Sequence, residues 1–156
     1  MIILGIDPGT AITGYGVVKK SKKMTCLGYG CIKTNFGTPM PERLQKLHKE
    51  LSVLIKKYRP DVLAVENIYF FKNLKTALPV SQAKGVILLA AAQNKITVNE
   101  YTPLQIKKVL VNYGWAEKTK VKKKTMSLLK LKKIAGPDDV ADALATAICC
   151  IKLLEK

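Results

Sequence analysis

Histidine, arginine and acid are all scarce in this sequence. His48 is its only histidine, and the four cysteines (Cys26, Cys31, Cys149 and Cys150) fall at no C-x-x-C or Cys/His ligand spacing. That pattern argues against a structural zinc site, and the adjacent Cys149 and Cys150, set in an apolar stretch, read as small core residues. The longest apolar runs, 85–92 and 143–151, fall far short of the about 20 residues a membrane-spanning helix needs. Met1–Ile6 carries no basic start and runs straight into Asp7, so no export signal is expected. No Pro/Gly/Ser-rich linker and no repeat divides the chain. The expectation is one soluble domain over 1–156, at home in a reducing cytoplasm.

Two counts stand out against these absences. Hydrophobic residues make up 48% of the 156, enough to bury a core. Lysine and arginine number 27 against 11 acids, giving a net charge of +16, and with only Arg43 and Arg59 as arginines the bases are overwhelmingly lysine. A field of that sign draws a polyanion, and nucleic acid is the commonest one.

The first third reads as strands. Ile2–Ile6 is an apolar run closed by Asp7; Ile12–Lys19 and Met24–Thr34 follow, parted by the polar turn Lys20–Lys23, which predicts an antiparallel meander. Leu44, Leu47, Leu51, Leu54 and Ile55 recur at helical spacing up to Tyr58, where Arg59-Pro60 stops the helix. Asp61–Glu66 is a short apolar run without alternation, as in a strand buried on both faces. A helix is expected over Ala83–Gln93, a strand over Ile96–Glu100, and helices from Pro103, from Lys118 and from about Asp139 onward. Strands first, then strands alternating with helices, indicate an α/β fold with a mixed sheet covered by helices.

Most of the few acids, including Glu42, Glu50 and Glu155, lie on amphipathic or loop sequence and read as solvated. Four do not. Asp7 and Glu66 close apolar strands, and Asp139 and Asp142 open an otherwise apolar helix, DDVADALATAICCI. A lone carboxylate in such surroundings suffers desolvation unless a cation neutralises it. If the first and fourth strands are neighbours, Asp7 and Glu66 meet; the i, i+3 spacing sets Asp139 and Asp142 on one helix face. Carboxylates converging without His or Cys make a hard oxygen site suited to magnesium or manganese. Two such ions about 4 Å apart are a known device for phosphodiester hydrolysis. The competing reading makes Asp7 a turn opener and Asp139 a helix N-cap, but capping accounts for neither Glu66 nor Asp142. Whether Asp138 shares in the site stays open.

The sequence resembles the RuvC family of Holliday-junction resolvases over essentially its full length. The segments that carry the likeness are GIDPGTAITGYGVV (5–18), VENIYFFKN (65–73), SQAKGVILLAAA (81–92), EYTPLQIKK (100–108) and DDVADALATAIC (138–149). The resemblance implies a ribonuclease H-like fold, a mixed five-stranded sheet flanked by helices on both faces, and a homodimer that nicks two opposed strands of a four-way DNA junction with divalent metal. It also implies a working partnership with a branch-migration helicase complex. Its acidic site falls on Asp7, Glu66, Asp139 and Asp142, and Lys107 and Lys118 stand where resolvases carry substrate-binding or active-site bases. An aromatic at the position of Tyr69 is implied to stack on bases at the junction; Tyr69 and Phe70 are equal candidates from sequence.

Eight lysines lie within 118–133 with no acid among them. Such a run is either a solvated helix face or a phosphate-binding one, and the net charge favours the second. The residues expected to meet DNA are Tyr69, Phe70, Lys72, Lys84, Lys107, Lys118, Lys120 and Lys122. Rival readings are an actin-like sugar kinase, which also opens with D-x-G-T but needs a second phosphate loop and domain, a non-catalytic DNA-binding module, and a ribonuclease H-like nuclease for another branched DNA or RNA.

Overall fold

The structure, a computed structural model, describes residues 1–9, 11–67 and 74–155. Its centre is a five-stranded mixed sheet in the order β3-β2-β1-β4-β5. The strands are β1 (Ile2–Asp7), β2 (Ile12–Lys20), β3 (Met24–Lys33), β4 (Val62–Glu66) and β5 (Thr97–Tyr101). The first three form the expected antiparallel meander, while β1 pairs with β4 and β4 with β5 in parallel. Five helices flank the sheet: α1 (Met40–Tyr58), α2 (Leu74–Gln93), α3 (Pro103–Val111), α4 (Lys118–Leu129) and α5 (Asp138–Leu154).

Alternation along each strand sorts the side chains between two cores. Leu4, Ile6, Val17, Leu63 and Val65 face α1 and α2, where they meet Leu47, Leu51, Ile55, Ala83, Ile87, Ala90 and Ala91. Ile3, Val18 and Ala64 face the other way, toward α5, α3 and α4. Among the described residues no helix is long and apolar enough to cross a membrane. Cys149 and Cys150 are fully buried in the second core, as their setting predicted.

Helix α5 lies unusually close to the sheet, and glycines make that possible. A Cβ on Gly5 would run into the carbonyl oxygen of Ala143, and one on Gly14 into that of Asp139. Any side chain there would push α5 outward and carry its acids away from the strands.

One expectation needs correction. The helix read as Ala83–Gln93 begins at Leu74 and runs through Pro79. Proline is a breaker by local rule, but the second half of α2 is anchored through Ala83, Ile87, Ala90 and Ala91 in the core with α1 and the sheet, and the helix extends N-terminally from that anchor through Pro79. Asp61 is exposed, as expected, and it also ties two strands together: its carboxylate accepts from the Ile2 amide at 2.6 Å, and its own amide donates to the Ile2 carbonyl at 2.9 Å. That double link sets the β1/β4 register from the end remote from Asp7 and Glu66.

Candidate active site

In the register set at Asp61, Ile6 lies beside Val65, so the next residues of the two parallel strands are Asp7 and Glu66. Both face the α5 side, as Gly5 and Ala64 do two residues earlier. Across the antiparallel edge Asp7 pairs with Gly14, whose bare Cα lies against the Asp139 backbone. Asp142 is one turn further along the same helix face. Four carboxylates from β1, β4 and α5 are thus drawn to the C-terminal edge of the parallel strands.

Their electrostatics follow from crowding in a half-buried place. Burial, followed by the negative charges of Glu66, Asp142 and Asp139, pushes the Asp7 carboxyl up to about 9. Glu66 is pushed to about 7, by burial first and then by Asp142. The nearest compensation is Lys118, at the start of α4, whose ammonium donates to Asp142 Oδ2 at 2.8 Å. That bond raises the Lys118 pKa and is its largest influence. Lys107, from α3, joins Glu66, Lys118 and Asp142 in lining one small cleft. Its helix is fixed by a capping box between Thr102 and Gln105, and it ends at Asn112 in the left-handed conformation, which Asn tolerates.

The donor set is chemically right for a hard cation: oxygen ligands only, with negative charge that burial leaves undercompensated. Among the described residues, however, no three His, Cys, Asp or Glu side chains are already closed around a single point. The acids are gathered on one edge of the sheet, with Lys118 drawing Asp142 aside. Asp138 is turned out of this group, its carboxylate 69% exposed and paired with Lys122 at 3.2 Å.

The expected DNA-facing residues separate into groups. Tyr69, Phe70 and Lys72 lie outside the described residues. Lys118 and Lys120 are exposed and Lys122 half-exposed on α4, whose other face buries Val121, Thr125 and Leu129. Lys84 is placed differently. Its ammonium donates to Asn67 Oδ1 at 3.1 Å and to Glu100 Oε2 at 2.5 Å, so its charge is largely met by its own chain. Sequence reasoning missed Glu100 as a partner, because nothing local ties residues sixteen positions apart; only the packing of α2 beside β5 brings them together.

A family model for "Crossover junction endodeoxyribonuclease RuvC" matches residues 3–150. A curated relative of that name from Pelotomaculum thermopropionicum is 52% identical over 150 residues, covering 96% of this chain and 92% of the relative. Another, from Caldicellulosiruptor saccharolyticus, is 47% identical over 153 residues, covering 97% and 92%. Among solved structures, Thermus thermophilus RuvC superposes with a TM-score of 0.91 at 33% identity, covering 99% of this chain and 96% of that one. A second structure, T. thermophilus RuvC in complex with Holliday junction substrate, gives a TM-score of 0.91 at 30% identity, with the same coverage. This likeness also identifies the fold as ribonuclease H-like, and the sugar-kinase reading falls away. With matches of that length on both sequence and fold, the chain belongs to the RuvC family of crossover junction endodeoxyribonucleases.

Proposed function

We propose that this chain, as a single nuclease domain over 1–156, resolves four-way DNA junctions by paired, symmetric, metal-dependent nicks during recombination and repair. The observation that carries the reading is the meeting of Asp7, Glu66, Asp139 and Asp142 at one sheet edge beside Lys107 and Lys118, within a strongly basic molecule. Two divalent ions, magnesium or manganese, held by the four carboxylates would supply Lewis acidity to activate water and neutralise the leaving oxygen. Asp7 and Glu66 would hold the ions from neighbouring strands, whose ladder fixes their separation. Asp139 and Asp142 would hold them from the first turns of α5, where the helix dipole favours anions. Lys118 holds Asp142 and is placed to exchange that carboxylate for a phosphate oxygen. Lys107 brings a second cation to the same cleft.

One domain presents one such site, while resolving a junction takes two cuts related by a two-fold axis. A C2 dimer supplies them with one isologous interface. Helix α2 supports this: it buries Ala83, Ile87, Ala90 and Ala91 against the sheet, yet leaves Leu78 and Leu89 exposed. A branch-migration helicase complex, which presents and moves the junction, is the proposed working partner. The deciding experiment compares magnesium-dependent cutting of a synthetic four-way junction, a linear duplex and an RNA hairpin, with the mass in solution measured alongside. Paired nicks confined to the junction, from a particle of twice the chain mass, are expected. Preferential cutting of RNA, or paired cutting by a strict monomer, would overturn the proposal.

Of the lysines, Lys118, Lys120 and Lys122 on α4 are proposed to contact phosphates, with Tyr69, Phe70 and Lys72 following directly after the Glu66 strand. Each phosphate that a lysine no longer neutralises should lower the log–log salt slope of binding by about 0.9. Neutralising Lys120 and Lys122 together is therefore expected to flatten the slope by up to about 1.8. Lys84→Met should leave the slope unchanged while weakening the tie between β4 and β5. Salt titrations of junction affinity check both, and an unchanged slope in the α4 double variant would reduce its lysines to a solubilising face.

A further inference from the structure

Several of the large apolar side chains left exposed on this molecule have an explanation. Phe36 lies under the Arg43 guanidinium, which is 5.1 Å from its ring centre, Val53 lines a cleft with Tyr15 and Cys31, and Leu78 and Leu89 belong to the face proposed for dimerisation. Trp115 fits none of these accounts. It is 76% exposed, and Tyr113 two residues before it is 57% exposed. They stand either side of Gly114 in the connection between α3 and α4.

The connection is built to hold these rings outward. Asn112 ends α3 in the left-handed conformation. The Ala116 amide donates to the Tyr113 carbonyl at 3.2 Å and closes a tight turn. Ala116 is buried and pins the turn to the core, so the residue before it, Trp115, projects from the turn. Three residues later comes Lys118, bonded to Asp142. Three residues of chain span at most about 11 Å, roughly three base steps along one strand. The sequence on either side of the ring is mainly basic: Lys107 and Lys108 on α3, Lys118, Lys120 and Lys122 on α4, with Glu117 the one acid between Lys107 and Lys122, accepting from the Thr119 hydroxyl at 3.3 Å; Lys118 and Lys122 are themselves paired with Asp142 and Asp138.

A rigid indole held in water on a lysine-rich stretch of chain, beside a nuclease centre, suits a ligand that is both anionic and aromatic. We infer that Trp115, supported by Tyr113, is a stacking platform for a nucleobase at the branch of the junction, within a few nucleotides of the scissile phosphate. Bases at a branch lack a continuous stack, so one of them can pass onto the indole without breaking a duplex. Base stacking tolerates any sequence, since every base has a π face. The platform therefore recognises the branch by shape rather than by its bases. This rests on the junction-nuclease reading, and the test separates the two.

Trp115 is the only tryptophan in the chain, so its emission, excited where tyrosine does not absorb, reports on this one site. An Asp7→Asn protein in magnesium is titrated with a four-way junction carrying a dye on one arm, following dye anisotropy and tryptophan emission together. The indole emission is expected to fall by more than half, with the same midpoint as the anisotropy, and to become shielded from iodide. Trp115→Ala in the same background should weaken junction binding roughly five- to hundredfold, and Trp115→Phe should recover most of the loss. Unquenched emission at saturating junction, equal quenching by linear duplex, or an alanine variant within twofold of its parent would overturn the inference. No rise in anisotropy at all would defeat the junction reading itself.

Discussion

Replacing Asp7 with asparagine is expected to abolish junction cleavage while leaving junction binding intact or tighter. The side chain keeps its shape and its place at the end of β1, opposite Gly14, so the fold is not asked to change. What disappears is one charge at the centre of the acidic group. Asp7 is the carboxylate that feels all three of the others, which in the proposed two-ion site would make it the ligand best placed to serve both ions. Loss of a single preorganised charged group at a reacting centre commonly costs about a hundred- to a thousandfold; losing a shared ligand should cost at least that. Binding moves the other way because a carboxylate beside a phosphate is repelled. Single-turnover cleavage with saturating enzyme, alongside a binding isotherm in the same buffer, separates the two effects. Cleavage at close to the parental rate would remove Asp7 from the chemistry.

Asp7 was visible in the sequence because an apolar strand ended on it, and Glu66 for the same reason. Their pairing required that the first and fourth strands be neighbours, a condition the sequence left open and the parallel β1/β4 ladder meets. Asp139 and Asp142 declared themselves by helical spacing. Hidden from that reading were the ties between remote positions. Asp61 has no local signature as a strand anchor; its role exists because β4 begins where β1 does. Glu100 and Lys84 look like ordinary surface charges until β5 and α2 bring them together. The first half of α2 was obscured by Pro79, whose local meaning is to break a helix, while the anchor that carries the helix through it lies in the core further along. Trp115 carried no periodic signal at all, since it belongs to a turn; only its exposure in three dimensions marks it out.

The largest effect of pH should come from Asp7 and Glu66. Both carboxyls have their pKa raised on folding, Asp7 from 3.8 to about 9 and Glu66 from 4.5 to about 7. Between the ordinary carboxylate range and those values the native protein binds more protons than the unfolded chain, so stability falls as pH rises. The contribution is complete below about pH 4 and is lost as pH climbs through about 7 for Glu66 and about 9 for Asp7. A tenfold change in acidity corresponds to about 1.36 kcal/mol, so the rise at Glu66 amounts to about 3 kcal/mol. In melting temperature that is roughly 10 °C for a domain of this size. With metal removed by chelation, melting temperature should therefore decline between about pH 5 and pH 9 at constant ionic strength. Magnesium should reverse the decline, most strongly at the alkaline end, because cations bind the ionised carboxylates. Glu66→Gln should flatten the lower part of the profile and, by removing a neighbouring charge, ease the ionisation of Asp7 as well. Because the two acids act on one another, the double variant with Asp7→Asn should gain less than the two single effects added together. A chelated protein whose melting temperature does not change across this range would mean that Lys118 and Lys107 already balance the acids, and that no cation is needed to keep them charged.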